Sequence, residues 1–141
     1  PRLFFASMSV LHRVAIVLNK PQDQVNIAAV VRVMKNFGFV DLRLVDPVPY
    51  DPWRIEGVAH GTRDLVERIR HFATLEEALA DCVFIAAFGA KRRAHRWPVT
   101  EPRALAGTVM ERVEAGTVAL LFGQEDHGLP NEAIDLAQVL V

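Results

Sequence analysis

The stretch FGQEDHGLPNEA at residues 122–133 concentrates the side chains best suited to chemistry. Glu125, Asp126 and His127 crowd two carboxylates and an imidazole between Gly123 and Gly128, directly after the apolar run Val118–Phe122. The glycines permit close backbone approach or positive φ, which suits a pocket wall made of main-chain groups. The same residues equally suit a tight strand-to-helix turn capped by Asp126 or Asn131. A second concentration, GAKRRAHRW, sets Lys91, Arg92, Arg93, His95 and Arg96 beside Trp97. Clustered cations with an aromatic neighbour suit phosphate contact and base stacking, and also an ordinary solvated loop. Asn26 and Arg32 form a third group on a predicted helix, where Ala28, Arg32, Lys35 and Asn36 share the stripe opposite the apolar face. Taken singly, such residues are most often a helix N-cap and a solvated cation.

The elements that position these groups follow from apolar spacing. The β-branched run Val14–Leu18, bounded by Asn19 and Pro21, reads as a buried strand. Ile27, Val30, Val31, Met34 and Phe37 then recur at helical spacing up to a stop at Gly38, and Leu42–Val45 is a second strand. Strand, helix, strand predicts a parallel βαβ unit with a right-handed crossover. Further on come helical pieces over Gly57–Ile69 and a helix from Thr74 to Asp81, opened by a Thr74/Glu77 capping box. The strand Cys82–Phe88, a helix over Pro102–Glu114 and the strand Val118–Phe122 complete the alternation. The predicted class is α/β, a mostly parallel sheet with helices on both faces. In such sheets ligands sit at the carboxyl ends of the strands. There the sequence puts residues 19–26, 89–98 and 123–130, all three of the segments singled out above.

Composition sets the outer bounds. The 141 residues are 51% hydrophobic and 23% charged, which describes one globular domain and excludes a disordered tail. A chain of this length buries roughly two-thirds of its unfolded surface and needs no disulfide or metal staple. Its one cysteine, Cys82, opens a predicted buried strand and reads as packing rather than nucleophile. Sixteen basic against 17 acidic residues leave a net charge of -1, so any nucleic-acid site must be local. No GxGxxG, Walker-type or GxSxG motif and no metal-ligand spacing occurs, and a reducing cytosol is the default compartment. Residues 1–141 read as a single domain. Pro1–Ser7, ahead of Met8, are set aside from it as a foreign or disordered lead-in.

Three segments together carry a family resemblance: NIAAVVRVMKNFGF at Asn26–Phe39, LVDP at Leu44–Pro47, and VALLFGQEDHGLPNEAIDL at Val118–Leu136. They resemble the SpoU/TrmH family of SPOUT RNA 2'-O-methyltransferases. The family's first motif, an asparagine followed six residues later by an arginine, is matched by Asn26 and Arg32. Its second, FGxExxGL, is matched by Phe122, Gly123, Glu125, Gly128 and Leu129. TLEEALADC at Thr74–Cys82 and the basic loop are similar to the TrmJ-like branch, which acts on tRNA.

The resemblance implies a knotted α/β methyltransferase that binds S-adenosylmethionine, works as a homodimer in the cytoplasm and methylates a ribose 2'-hydroxyl of RNA, with tRNA the expected substrate. It assigns catalysis to Asn26, Arg32 and Glu125. It assigns the methyl donor to Ala87, Phe88, Gly89, Phe122, Gly123, Gln124, Gly128 and Leu129, and RNA contact to Lys91, Arg92, Arg93 and Arg96. Free arginine stays protonated far above neutrality and is a poor base, so Arg32 either occupies a site that strongly depresses its pKa or positions and stabilises a developing alkoxide. Two departures stand out. Ala28 replaces a common family glycine, and the family's third motif, which completes the knot, would follow Val141, so the domain is expected to be C-terminally incomplete. A catalytically silent RNA-binding relative, and an unrelated nucleotide-binding α/β domain, stay open as alternatives.

Overall fold

The computed structural model describes residues 10–89 and 98–141. Its elements run β1 (Val14–Asn19), α1 (Gln24–Phe37), β2 (Asp41–Val45), α2 (Pro52–Val58), α3 (Arg63–Glu67), β3 (Arg70–Phe72), α4 (Leu75–Leu79), β4 (Cys82–Phe88), α5 (Pro102–Arg112), β5 (Thr117–Phe122), α6 (Asn131–Ile134) and β6 (Val139–Leu140). The six strands form one sheet in the order β3-β2-β1-β5-β4-β6. Every pairing is parallel, as the alternation of strands and helices requires.

Each strand of the sheet centre is apolar on both faces because helices cover both. Val14, Ile16 and Leu18 of β1 share a core with Ile27, Val31 and Met34 of α1, Ile55 of α2 and Leu105 of α5. Ala15 and Val17 point the other way, toward Ala78 and Leu79 of α4 and Ile134 of α6. Asp23 starts α1 by accepting the Val25 N–H at 2.8 Å, and Gly38 ends it with φ of 88° while donating to the Met34 carbonyl at 2.9 Å. Asn26 is therefore not the N-cap. Ala28 is 1% exposed and faces the core, so it is not on the stripe with Arg32, whereas Phe37 is 67% exposed and outside the apolar face. The buried face is centred on Ile27, Ala28, Val31 and Met34, so it is turned away from the expected stripe toward Ala28 and away from Phe37.

Other boundaries also differ from expectation. The helical pieces expected over 57–69 are two helices, the first beginning already at Pro52, separated where Gly61 takes φ of 77° and the Thr62 hydroxyl donates to the Ala59 carbonyl. Asp51 caps the first by accepting the Trp53 N–H at 3.0 Å, so the Pro-rich stretch ahead of it leads directly into a helix. The short strands β3 and β6 have no counterpart in the apolar pattern. Arg43 of β2, 1% exposed, bridges Asp41 at 2.9 Å and Asp81 at 2.5 Å and donates to the Ala78 carbonyl at 2.7 Å. Burial works against its charge, but the hydrogen bonds to Asp81 and Asp41 more than offset this and raise its pKa.

The C-terminal residues occupy an unusual place. Val139 and Leu140 pair with Ala86 and Ala87 of β4, and on their other side Leu140 exchanges hydrogen bonds of 2.8 Å with Pro98 and Thr100. Thus β6 lies between β4 and the segment to which β4 is itself joined through residues 89–97.

Candidate active site

Strand register brings the expected loops to one level. Leu18 of β1 and Phe88 of β4 both stand opposite Phe122 of β5, so the chain leaves all three strands at the same height. The Phe88 and Phe122 rings stack with centroids 4.6 Å apart at 16°, a cross-strand pair that floors the loops above. Because β2 and β3 lie to one side of β1 and β4, β5 and β6 to the other, this is the point where the sheet order reverses.

The loop after β5 is closed on itself. The Gln124 N–H donates to Gly128 at 3.3 Å and the Gly128 N–H donates back to Gln124 at 3.0 Å. A Cβ on Gly123 would run into the Gly128 carbonyl group and stand 2.6 Å from the Leu129 nitrogen, so only glycine permits this closure. Gly128 adopts φ of 66° and faces the Gly89 carbonyl. The Glu125 carboxylate accepts the Gln22 N–H at 3.1 and 3.3 Å, tying the loop to the segment that leads into α1. The N-cap of α6 is Pro130, so neither Asp126 nor Asn131 occupies the cap position.

Two clefts share this loop as a wall. One, about 510 Å³, is lined by Phe88, Gly89, Ile134 and the residues from Phe122 to Leu129. The other, about 390 Å³, runs between α1 and β5 and is mostly apolar, with Ala29, Val30, Val33, Phe122 and Gly123 joined by Asn26 and Glu125. They meet at Phe122, Gly123 and Glu125. A ligand of ordinary size fits the first, since small-molecule pockets span about 300–1,000 Å³.

The structure assembles part of the expected site. Asn26 and Glu125 line one cleft, and Phe88, Gly89, Phe122, Gly123, Gln124, Gly128 and Leu129 line the other. Ala87 lies behind it, fully buried in β4, with its carbonyl accepting the Val141 N–H at 2.8 Å. Arg32 lines neither cleft. It is exposed on the outward side of α1, and among the described residues it makes no hydrogen bond or ion pair. Lys91, Arg92, Arg93 and Arg96 lie outside the described residues. Sequence reasoning missed Gln22, whose contribution is a backbone N–H that no residue type signals, and Lys20, whose φ of 54° is rare for a side chain with a Cβ. Cys82 contacts Arg43, and burial pushes its thiol up to about 11, which suits the packing role expected of it.

The chain is similar to known proteins in sequence and in fold. A sequence model of the SpoU rRNA Methylase family matches residues 13–141. The chain is 38% identical over 130 residues to the tRNA (cytidine/uridine/adenosine-2'-O-)-methyltransferase TrmJ of Pseudomonas aeruginosa strain UCBPP-PA14, a match covering 92% of this chain and 51% of that protein. It is 40% identical over 129 residues to LasT of Escherichia coli strain K12, described as an uncharacterized tRNA/rRNA methyltransferase, over 91% of this chain and 57% of that one. The crystal structure of TrmJ from Z. mobilis ZM4 superposes with a TM-score of 0.82 at 36% identity, covering 89% of this chain and 56% of that chain. The chain thus spans about half the length of the curated relatives it matches.

Proposed function

Because this chain belongs to the SpoU rRNA Methylase family, we propose that it transfers the methyl group of S-adenosylmethionine to a ribose 2'-hydroxyl of RNA, with tRNA as the substrate. The observation that carries this reading is the single glycine loop walling two clefts that meet at Phe122, Gly123 and Glu125. A donor on one side and an acceptor on the other would be separated by one loop's thickness.

The residues present fit the methyl donor. The stacked phenylalanines offer an apolar floor, and the glycine loop, which a Cβ at position 123 would fill, presents main-chain groups. When bound there, S-adenosylmethionine supplies a methyl on a sulfonium for in-line displacement by the hydroxyl oxygen. Glu125 holds the loop at a fixed distance from α1, and alignment of this kind contributes much of the acceleration in a two-substrate transfer. The Asn26 amide faces the acceptor cleft, where it can orient the ribose through hydrogen bonds.

Arg32 contributes the five donors of its guanidinium to the oxygen under attack rather than taking its proton, which passes to solvent as the carbon–oxygen bond forms and the donor's methyl–sulfur bond breaks. Its position outside both clefts is accounted for by a homodimer. Val25, Ala29, Val33 and Phe37 recur every four residues on α1, and Val25, Val33 and Phe37 are 57%, 53% and 67% exposed. Because Ala29 and Val33 also wall the acceptor cleft, a second copy lying against this stripe would form the far side of that cleft and place Arg32, which borders the stripe, at the junction of two subunits. The basic residues Arg92 and Arg93 hold the RNA backbone, and a tRNA substrate places the protein in the cytoplasm. Arg32's distance from both clefts also favours a second reading, an RNA-binding relative without turnover.

Titration with S-adenosylmethionine by calorimetry, with S-adenosylhomocysteine as competitor, tests the donor site. Labelled methyl transfer to unmodified tRNA, mapped to the 2'-oxygen, tests the reaction. One site per chain, displaced by the product analogue, and label on the ribose are expected. RNA binding with neither donor binding nor transfer would establish the second reading instead.

A further inference from the structure

The connector from β2 leads into α2 at a tryptophan that faces water. Trp53 is 68% exposed and belongs to neither hydrophobic core. One face of its ring carries the Arg63 guanidinium of α3, 5.5 Å from the ring centroid. A single exposed apolar side chain is ordinary. What sets this one apart is the rigidity of its mounting. The Val48 N–H donates to the Pro21 carbonyl at 3.0 Å, and the Tyr50 hydroxyl lies 2.5 Å from Nε2 of His71, with the two rings stacked at 5.6 Å. The Asp51 N–H donates to Oε1 of Gln24 at 3.4 Å, while the Asp51 carboxylate accepts the Trp53 N–H at 3.0 Å. A large ring presented on a fixed backbone and left wet loses little further freedom when something stacks on it, which favours binding.

The same contacts place the ring beside the proposed site. Pro21 lines the acceptor cleft, and Gln24 stands two residues before Asn26, so the start of α2 lies against the start of α1. Lower on α1, Lys35 pairs with Asp64 of α3 at 2.7 Å. Arg32 falls between Gln24 and Lys35 on this side of the helix, and the cleft lies on the other side, about one helix diameter or 10 Å away. Among the described residues Arg32 and Arg54 have no ion pair, and Glu67 takes only Nε of Arg63, at 3.1 Å. Glu56 and Glu67 keep the surface from being uniformly basic, so it does not suit a polyanion in bulk. A ring with guanidinium nitrogens beside it suits one base and the phosphate next to it. A protein partner would favour apolar surroundings for the ring, and its neighbours here are Arg54, Glu56 and Arg63. We infer that Trp53 stacks a base of the RNA next to the nucleotide being methylated, with Arg63 bridging the ring and a phosphate. The inference rests on the proposed function and adds a positioning contact for its RNA.

Trp53 and Trp97 are the two tryptophans of the chain, so Trp97→Phe leaves Trp53 as sole reporter. In that variant unmodified tRNA should quench the emission saturably, with the midpoint that anisotropy of end-labelled tRNA gives on the same protein. In the otherwise unsubstituted chain, Trp53→Ala should weaken tRNA binding about fivefold or more, and Trp53→Phe, which keeps a stacking ring, should restore most of the loss. Arg63→Ala should reduce the slope of log affinity against log salt by about 0.7. Melting temperature, S-adenosylmethionine binding and self-association by sedimentation should stay as in the parent. Binding of tRNA that leaves the emission unchanged, or an alanine variant that binds as tightly as the parent, would overturn the inference and leave the proposed function standing. Affinity lost together with self-association would make Trp53 a subunit contact and overturn it as well. A parent chain that binds no tRNA would overturn both.

Discussion

The Glu125 carboxylate and the Gln22 N–H meet at 3.1 Å across 103 residues of sequence, and this hydrogen bond sets the spacing between the glycine loop and the start of α1. Replacing Glu125 with alanine removes an exposed hydrogen bond, so stability should fall by only about 1 kcal/mol. Methyl transfer should fall tenfold or more, because the walls of both clefts lose their common anchor. Melting curves and initial rates on the same preparation separate the two effects. Equal losses in both would reduce Glu125 to a stabilising residue.

Gly123→Ala should act in the reverse proportion. Its Cβ would press on Gly128 and stand 2.6 Å from the Leu129 nitrogen, which are main-chain atoms with no rotamer to yield. Overpacking of this kind costs about 1–3 kcal/mol. The loop must open to relieve it, and calorimetry should show the donor affinity abolished or reduced at least tenfold. Unchanged affinity would place the donor elsewhere.

Arg32→Ala should leave the fold within about 0.5 kcal/mol of the original, since the side chain is exposed and has no partner among the described residues. Loss of methyl transfer with RNA binding largely retained is the expected result. Turnover surviving in this variant would remove Arg32 from catalysis.

Arg92 and Arg93 bear on affinity alone. Replacing both with alanine should weaken tRNA binding and reduce the slope of log affinity against log salt by roughly 0.7–0.9 for each phosphate no longer neutralised. An unchanged slope would make the segment an ordinary solvated loop.

The Arg43 cluster predicts the acid limit of the fold. The Arg43 guanidinium holds Asp81 below the usual carboxylate range, so its contribution is present above the unfolded value of about 3.9 and disappears as pH falls through the lower folded value. The raised pKa of Arg43 keeps its own contribution intact at every pH below the unfolded arginine value. Stability measured in urea should therefore be insensitive to these groups from pH 5 to 9 and decline only below about pH 4. Arg43→Met should cost about 1–3 kcal/mol, chiefly because the Ala78 carbonyl loses its buried donor, since Asp81 is half exposed and Asp41 keeps Arg70 at 3.2 Å. A variant as stable as the parent would contradict this account.

How much of this was readable in advance varied with the physical origin of each feature. The strands β1, β4 and β5 were legible because burial on both faces demands continuous apolar runs, and the bounds of Cys82–Phe88 agree residue for residue. Arg70–Phe72 and Val139–Leu140 were not, since strands of three and two residues are too short to show a period. The inward turn of Ala28 follows from which residues win the core, a tertiary competition that helical spacing alone does not settle. In the site, the glycines and Glu125 announced themselves by type. Gln22 acts through its backbone, so its identity carried no signal. Arg43 needs Asp81, 38 residues away, to explain why a charge is buried in a central strand.

The placement of β6 imposes an order on folding. Its two neighbours, β4 and the segment from Pro98 to Thr100, are close in sequence, and both make backbone hydrogen bonds with the chain at Leu140 and Val141. If Val99 reached β4 first, it would occupy the hydrogen-bonding edge that Leu140 uses and shut the later residues out. Productive folding therefore keeps that slot open until some forty more residues have been placed, a kinetic demand that no equilibrium contact reveals. Premature closure is a trap from which the chain escapes only by reopening, so refolding should show a slow phase that proline isomerisation does not explain.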